Sequence, residues 1–205
     1  MKILPVELIR EADNYTIINE PVASVDLMER AASACAEWIM EKYGISAEFS
    51  IFCGCGNNGG DGLAIARLLH LKSSKIRVFI VNHSKRKSAD FEINLQRLTD
   101  LKLAVVEINA INELPEINDN EIIIDSILGS GLSNSVSGLI KDIILKINSL
   151  NNKKIAIDIP TGLFADKANS AEDVIFNSDF TLSFELPKLA FFFPQNYNYV
   201  KEWII

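Results

Sequence analysis

The chain has 205 residues, 48% hydrophobic and 23% charged, the values of a folded globular protein long enough for a full core. Lys and Arg total 20 against 27 Asp and Glu, a net charge of −7 that disfavours nucleic-acid binding through broad electrostatics. A phosphorylated ligand must then be caught locally, by backbone amides, against the overall field. No apolar run approaches the ~20 residues of a membrane span.

The opening "MKILPVELIREADNY" carries charge from the start and lacks the apolar core of a secretory signal, so a cytoplasmic location is expected. Helical patterns follow over Val6–Asn19 and Ser24–Tyr43, the second with a stripe at Leu27, Ala31, Ala34 and Trp38. Ser24 is the expected N-cap and Gly44 the expected stop. Glu48–Cys53 reads as a buried strand running into a glycine-rich turn, Gly54–Gly62, and then a helix over Asp61–Lys72.

"IRVFIV", Ile76–Val81, lacks polar alternation and is predicted to be a parallel strand covered on both faces. A helix over Ser88–Leu101, capped by Ser88, and strands at Ala104–Ile108 and Glu121–Leu128 come next. Val136–Ser149 reads as a helix and Lys154–Ile159 as a buried strand broken by Pro160 and Gly162. Leu163–Ser178 is expected to be a surface loop, with late strands at Phe180–Phe184 and Tyr199–Ile205. Strands alternating with helices predict an α/β fold, a three-layer αβα Rossmann-like domain with a mainly parallel sheet, as one domain over 1–205. The chain stops inside a strand pattern, "VKEWII", an ending expected of an N-terminal domain excised from a longer chain.

The cysteines are Cys35, Cys53 and Cys55, an odd number suited to a reducing compartment. Cys53-Gly-Cys55 has no second pair to complete a zinc site, so these are read as packing residues. The two histidines, His70 and His83, sit in polar flanking segments, and no Ser-His-Asp or Cys-His set can be assembled.

In a parallel sheet, ligands collect beyond the carboxyl ends of the strands. Three such ends are unusually polar: Gly54–Gly62, Asp125–Gly131 and Asp158–Gly162. Converging, they offer the carboxylates Asp61, Asp125 and Asp158, the amides Asn57 and Asn58, and the hydroxyls Ser130 and Thr161. Free amides at the start of the helix after Asp61 and in the Gly129–Gly131 turn suit phosphate oxygens, and the glycines let a bulky ligand approach the main chain. Asn58, Asp125 and Thr161 form a hard oxygen set with one formal charge, better matched to a monovalent cation than to calcium. Asp158 is the strongest general acid/base candidate, since burial beside a polar substrate would raise its pKa.

"GNNGGDGLAIARLL", "DSILGSGL" and "AIDIPTGL", with "LMERAA" upstream and "TLSFELPK" downstream, resemble the NAD(P)H-hydrate epimerase family, the YjeF N-terminal domain. The resemblance runs in order from Met1 to about Trp203, and its specificity lies in "NNGGDG" combined with "DIPTG" further on. It implies an isomerase that interconverts the R and S epimers of hydrated NADH or NADPH, feeding an S-specific dehydratase. Substrate would be bound by Asn57, Asn58, Gly59, Gly60, Asp61, the loop Gly129, Ser130, Gly131, Leu132, Ser133, Asn134, Ser135, and by Asp158. Lys188 matches a lysine position in the family; it reaches phosphate or is simply a solvated surface lysine.

The resemblance also implies one K⁺ held by Asn58, Asp125 and Thr161, the last standing where serine is common. Asp158 is the expected proton-transfer residue, through loss and return of water or through ring opening and reclosure. Cys55 replaces a frequent proline, and "SGLSNSV" lacks the basic character often seen in that loop. The expected state is a homo-oligomer. A non-catalytic nucleotide-binding or interaction module is the rival reading, disfavoured by the presence of Asn58, Asp61, Asp125 and Asp158. An ordinary NAD dehydrogenase is disfavoured because the turn lacks GxGxxG.

Overall fold

The computed structural model describes residues 2–72 and 74–205. Its elements in chain order are α1 (Val6–Asn19), α2 (Ser24–Tyr43), β1 (Glu48–Cys53), α3 (Asn57–Leu71), β2 (Lys75–Val81), α4 (Ala89–Asp100), β3 (Val105–Ile108), β4 (Glu121–Ser126), α5 (Gly138–Asn148), β5 (Lys154–Ile157), β6 (Phe180–Leu182), α6 (Tyr197–Val200) and β7 (Glu202–Ile204). The strands form one seven-stranded sheet in the order β3-β2-β1-β4-β5-β6-β7, and every pairing is parallel.

Both faces of the sheet are covered, which explains the unbroken apolar strands. Ile51, Cys53, Ile122 and Ile124 point to the side of α2, α3 and α4, where they meet Ile39, Leu63, Leu69, Phe91 and Leu98. Phe52, Phe79 and Ile123 point the other way, onto the α5 residues Ile140, Ile143, Ile144 and Ile147. Each such side chain, fully buried, contributes about 1.5–3 kcal/mol. At the amino end of the strands the buried Glu121 is held by Arg77 at 2.8 Å, Asn118 at 2.7 Å and the Ser50 hydroxyl, an anchor remote from the polar turns.

Four sequence expectations change. Helix α3 begins at Asn57, so "NNGGD" is its first turn and not a loop before it; Gly56 is the cap, and Gly60 N–H already bonds Gly56 C=O at 3.0 Å. Ser24 is the first residue of α2, with Ala23 as its cap, and its hydroxyl donates to Asp90 Oδ2 at 2.6 Å. The 163–178 stretch is a loop at the surface over 166–172, as expected, but its ends are not: Leu163, Ala165 and Ile175 bury against Val6, Ile159, Ala190 and Val200. The last predicted strand is split, because α6 ends at Val200 and β7 starts at Glu202. Ser88 caps α4 as expected, accepting from Phe91 N–H at 3.3 Å.

The order β2-β1-β4-β5 puts the topological switch point between β1 and β4, the place where open parallel sheets bind ligands. Both flanking turns open there.

Candidate active site

The first turn of α3 is wedged into the switch point. A Cβ on Gly59 would lie 1.8 Å from Gly54 C=O, and one on Gly54 would lie 2.0 Å from Ile127 C=O. What comes close to these glycines is therefore the protein's own backbone, not a ligand as the sequence implied. That contact fixes α3 against the ends of β1 and β4, and it aims the free amides of its first turn outward.

Asp125, at the end of β4, is 1% exposed. Its Oδ1 accepts from the Thr161 hydroxyl at 2.7 Å and from Ile127 N–H at 3.1 Å, and its Oδ2 accepts from Thr161 N–H at 2.8 Å. Burial pushes this carboxyl up to about 6, and the three hydrogen bonds oppose that rise. The Thr161 oxygen also accepts from Leu128 N–H at 3.0 Å, so the ends of β4 and β5 are tied together through one side chain. Asn58, whose backbone C=O accepts from the hydroxyl of Ser126, the residue after Asp125, is 8% exposed, and its side-chain oxygen and nitrogen are both buried without a hydrogen-bond partner among the described residues. An orphaned buried amide costs about 1–3 kcal/mol, so it marks a position built for something else.

Asp158 adopts a left-handed backbone, φ 65°, just past β5. Its N–H bonds Leu182 C=O at 2.7 Å, which holds the strained residue in place. Its carboxylate is fixed on both oxygens: Lys188 Nζ lies 3.0 Å from Oδ1, and Ser130 N–H donates to Oδ2 at 2.8 Å. Gly129 completes the arrangement, since a Cβ there would stand 2.9 Å from Asp158 Oδ2 and 3.3 Å from Asn58 Cγ. Gly129 thus keeps open the gap between the two.

Lys188 is neither a solvated surface lysine nor a free phosphate ligand. Only 1% of its side chain is exposed, and its ammonium also donates to Phe184 C=O at 3.1 Å and Leu186 C=O at 3.3 Å. All three N–H groups are thereby used.

A cavity of about 580 Å³ opens between α1, α2 and the end of β6. Of the predicted substrate-binding residues, Asn57 and Asp61 line it; Asp158 stands just behind Leu182, which also does. Asp61 is 8% exposed, and burial first, then the charges of Asp158, Asp90 and Asp13, push its pKa well above the usual carboxylate range. Cys35, on the same wall, is likewise raised by burial and by Asp61 and Asp158, which leaves an inert thiol. Cys53 and Cys55 are buried and free, as packing residues should be.

The loop from Gly129 divides in two. Gly129 and Ser130 face inward, whereas Gly131, Ser133, Asn134 and Ser135 form an exposed rim with Leu132 half-buried. The missing positive charge of this loop comes from distant segments. Arg10 of α1, a residue sequence reasoning passed over, lines the cavity, and its Nη2 would lie 2.5 Å from a Cβ on Gly131. Lys167 Nζ donates to Ser133 C=O at 3.2 Å. No spacing in the sequence links Arg10 to this loop; only the docking of α1 does.

Residues 24–190 match the family described as YjeF-related protein N-terminus. The NAD(P)H-hydrate epimerase of Anaerococcus prevotii is 35% identical over 193 residues, covering 92% of this chain and 87% of that protein. That of Limosilactobacillus reuteri is 35% identical over 80% of this chain and 76% of its own length. The bifunctional NAD(P)H-hydrate repair enzyme Nnr of Dictyoglomus turgidum is 34% identical over 100% of this chain, which spans 40% of that protein. The crystal structure of yeast ynu0 superposes with a TM-score of 0.80 at 24% identity, covering 93% of this chain and 83% of that one, and shares the αβα fold. Among the described residues no helix is long and apolar enough to cross a membrane. With its family pattern matched over residues 24–190 and relatives of 35% identity named as NAD(P)H-hydrate epimerases, the chain belongs to the YjeF-related protein N-terminus family.

Proposed function

We propose that this protein is an NAD(P)H-hydrate epimerase, acting on the R and S epimers of hydrated NADH and NADPH in the cytoplasm. The observation that carries the reading is Asp158. It is a strained, buried carboxylate aimed by Lys188 and Ser130 at the switch point of a parallel sheet, beside an open cavity. A pure interaction module has no need to hold a carboxylate in that way.

The chemistry follows from the substrate. Its C6 hydroxyl sits on a carbon bonded to the ring nitrogen, so loss of the hydroxyl is assisted by the nitrogen lone pair. Asp158 takes part in the proton transfer that this loss and the return of water require. Arg10 and the Gly129–Ser135 rim receive the diphosphate, offsetting the −7 net charge where it matters. Asn57 and the free amides of α3 bind beside it.

Asn58, Asp125 and Thr161 hold K⁺. The fit rests on the orphaned Asn58 amide beside an oxygen-rich, singly charged pair, a donor set suited to a weakly hydrated monovalent ion. Bound there, the ion would supply positive charge to the site and would tie together the ends of α3, β4 and β5. The functional partner is an S-specific dehydratase, in line with relatives named as bifunctional repair enzymes. The working state is a homo-oligomer.

The test supplies R-hydrate together with an S-specific dehydratase and follows NADH absorbance. This protein should convert the slow recovery phase into a fast one. Retained nucleotide binding with no acceleration would instead make it a binding module.

A further inference from the structure

Epimerisation at C6 moves two protons: one onto the departing hydroxyl, one off the water that arrives on the opposite face. Asp158 is poorly placed to serve both faces, because each of its oxygens is already pinned, by Lys188 at 3.0 Å and by Ser130 N–H at 2.8 Å. A second carboxylate stands nearby in the opposite condition. Asp61, from the first turn of α3, lies on the cavity wall at 8% exposure, and among the described residues no hydrogen bond or ion pair reaches its carboxylate.

The groups around Asp61 do not supply a counter-charge. Asp90 of α4 and Asp13 of α1 are acids, as is Glu185 beyond β6. Of the cavity's cations, Arg30 pairs with Glu20 at 3.0 Å and Arg10 reaches the Gly131 rim. Asp158 is held at its N–H by Leu182, which lines the cavity, and faces Asn58 across Gly129; Asp61 follows Asn58 by one turn of α3, so the two carboxylates approach one region from different elements. One has a buried lysine against it and the other has none. Environments that differ in this way separate an acid from a base.

Resting on the epimerase reading above, we propose that Asp61 is a second catalytic residue, the acid to Asp158's base, and that Lys188 is the positioning residue that decides which carboxylate takes which part. The protonated Asp61 gives its proton to the C6 hydroxyl. The C6–O bond breaks, its electron pair leaves on water, and the nitrogen lone pair forms the C=N bond of an iminium. A water on the other face then bonds to C6 and gives its proton to Asp158, while the C=N pair returns to nitrogen. One water leaves, one enters, and one proton has passed from Asp61 to Asp158. The reverse reaction starts from that exchanged state, and proton exchange with solvent resets the enzyme.

The experiment follows each epimer in heavy-oxygen water, reading inversion and oxygen incorporation separately by mass spectrometry. Wild-type enzyme should incorporate one solvent oxygen per inversion. Asp61→Asn should lose inversion by about 10²–10⁴-fold while binding nucleotide normally. Asp158→Asn should also lose inversion, yet keep exchanging oxygen without inversion in the epimer whose hydroxyl faces Asp61. Asp61→Glu, which keeps the acid, should recover part of both rates.

Inversion by Asp61→Asn within a few-fold of wild type would assign both transfers to Asp158 and overturn the proposal. So would inversion by wild type without incorporation, which is the ring-opening route, or a folded Asp61→Asn that loses binding together with turnover. A wild-type protein that inverts neither epimer would overturn the epimerase reading itself, a separate result.

Discussion

Lys188 and Asp158 form an ion pair of 3.0 Å in which 1% of the lysine side chain and 12% of the aspartate side chain remain exposed. Two elements far apart in sequence, the end of β5 and the turn after β6, are joined by it. Removing one partner leaves a buried charge without compensation. Lys188→Met should therefore destabilise the fold by about 3–5 kcal/mol, and adding Asp158→Asn to it should recover much of that loss. Urea unfolding of the two single variants and the double variant measures the coupling.

Asp158→Asn alone addresses chemistry. It keeps the shape and the bond from Ser130 but removes the base, so epimerase turnover should fall about 10²–10⁴-fold. Nucleotide affinity should stay within a few-fold of wild type. Steady-state rates beside equilibrium titration check this, and near-normal turnover would remove Asp158 from the mechanism.

Arg10 predicts a different signature. Its guanidinium sits against the Gly131 rim, and no hydrogen bond or ion pair among the described residues joins it to Asp61 or Asp158. Arg10→Ala should raise KM while leaving kcat little changed, the pattern of lost uniform binding. A drop in kcat with unchanged KM would place Arg10 in the chemistry.

K⁺ should stabilise the protein through Asn58. Saturation to 100 times Kd corresponds to about 2.7 kcal/mol, visible as a rise in Tm in KCl over tetramethylammonium chloride at equal ionic strength. In Asn58→Ala that difference should vanish, while the potassium-free Tm stays at or above wild type, because the buried amide it loses had no partner. A potassium-dependent Tm that survives the substitution would move the ion elsewhere.

Glu185, at the cavity mouth, has its carboxyl pushed up to about 7 by partial burial and then by Asp13. A carboxyl raised above its unfolded value favours the protonated fold. Its stabilising contribution is present in full below the unfolded value near 4.5 and declines as pH rises to about 7. Glu185→Gln should flatten that part of the Tm–pH curve and raise Tm at pH values above it. An unchanged slope would show that Glu185 does not titrate in this range.

Much of this was legible in the chain. Unbroken apolar runs such as Ile76–Val81 can only be strands covered on both faces, and helical stripes between them leave few arrangements other than a parallel αβα sheet. Polar residues at three strand ends pointed to one edge of the sheet, since parallel strand polarity puts those ends together. What stayed hidden was whatever depends on packing between distant segments. Asn57 and Asn58 looked like loop residues because glycines normally end regular structure, yet contact between Gly59 and Gly54 lets a helix start there. Lys188 read as a phosphate contact or a solvated surface lysine, and only the fold reveals its buried partner.

The sequence by itself determined the strand and helix pattern, the three polar turns and the family, because periodicity and local composition are properties of neighbours in the chain. Only the tertiary structure decided that Arg10 serves the Gly131 rim, that Asn58 is orphaned, and that Asp158 has a counter-charge while Asp61 has none. Those are facts of burial and of distance through space, and a side chain's charge state and freedom are set by what surrounds it after folding.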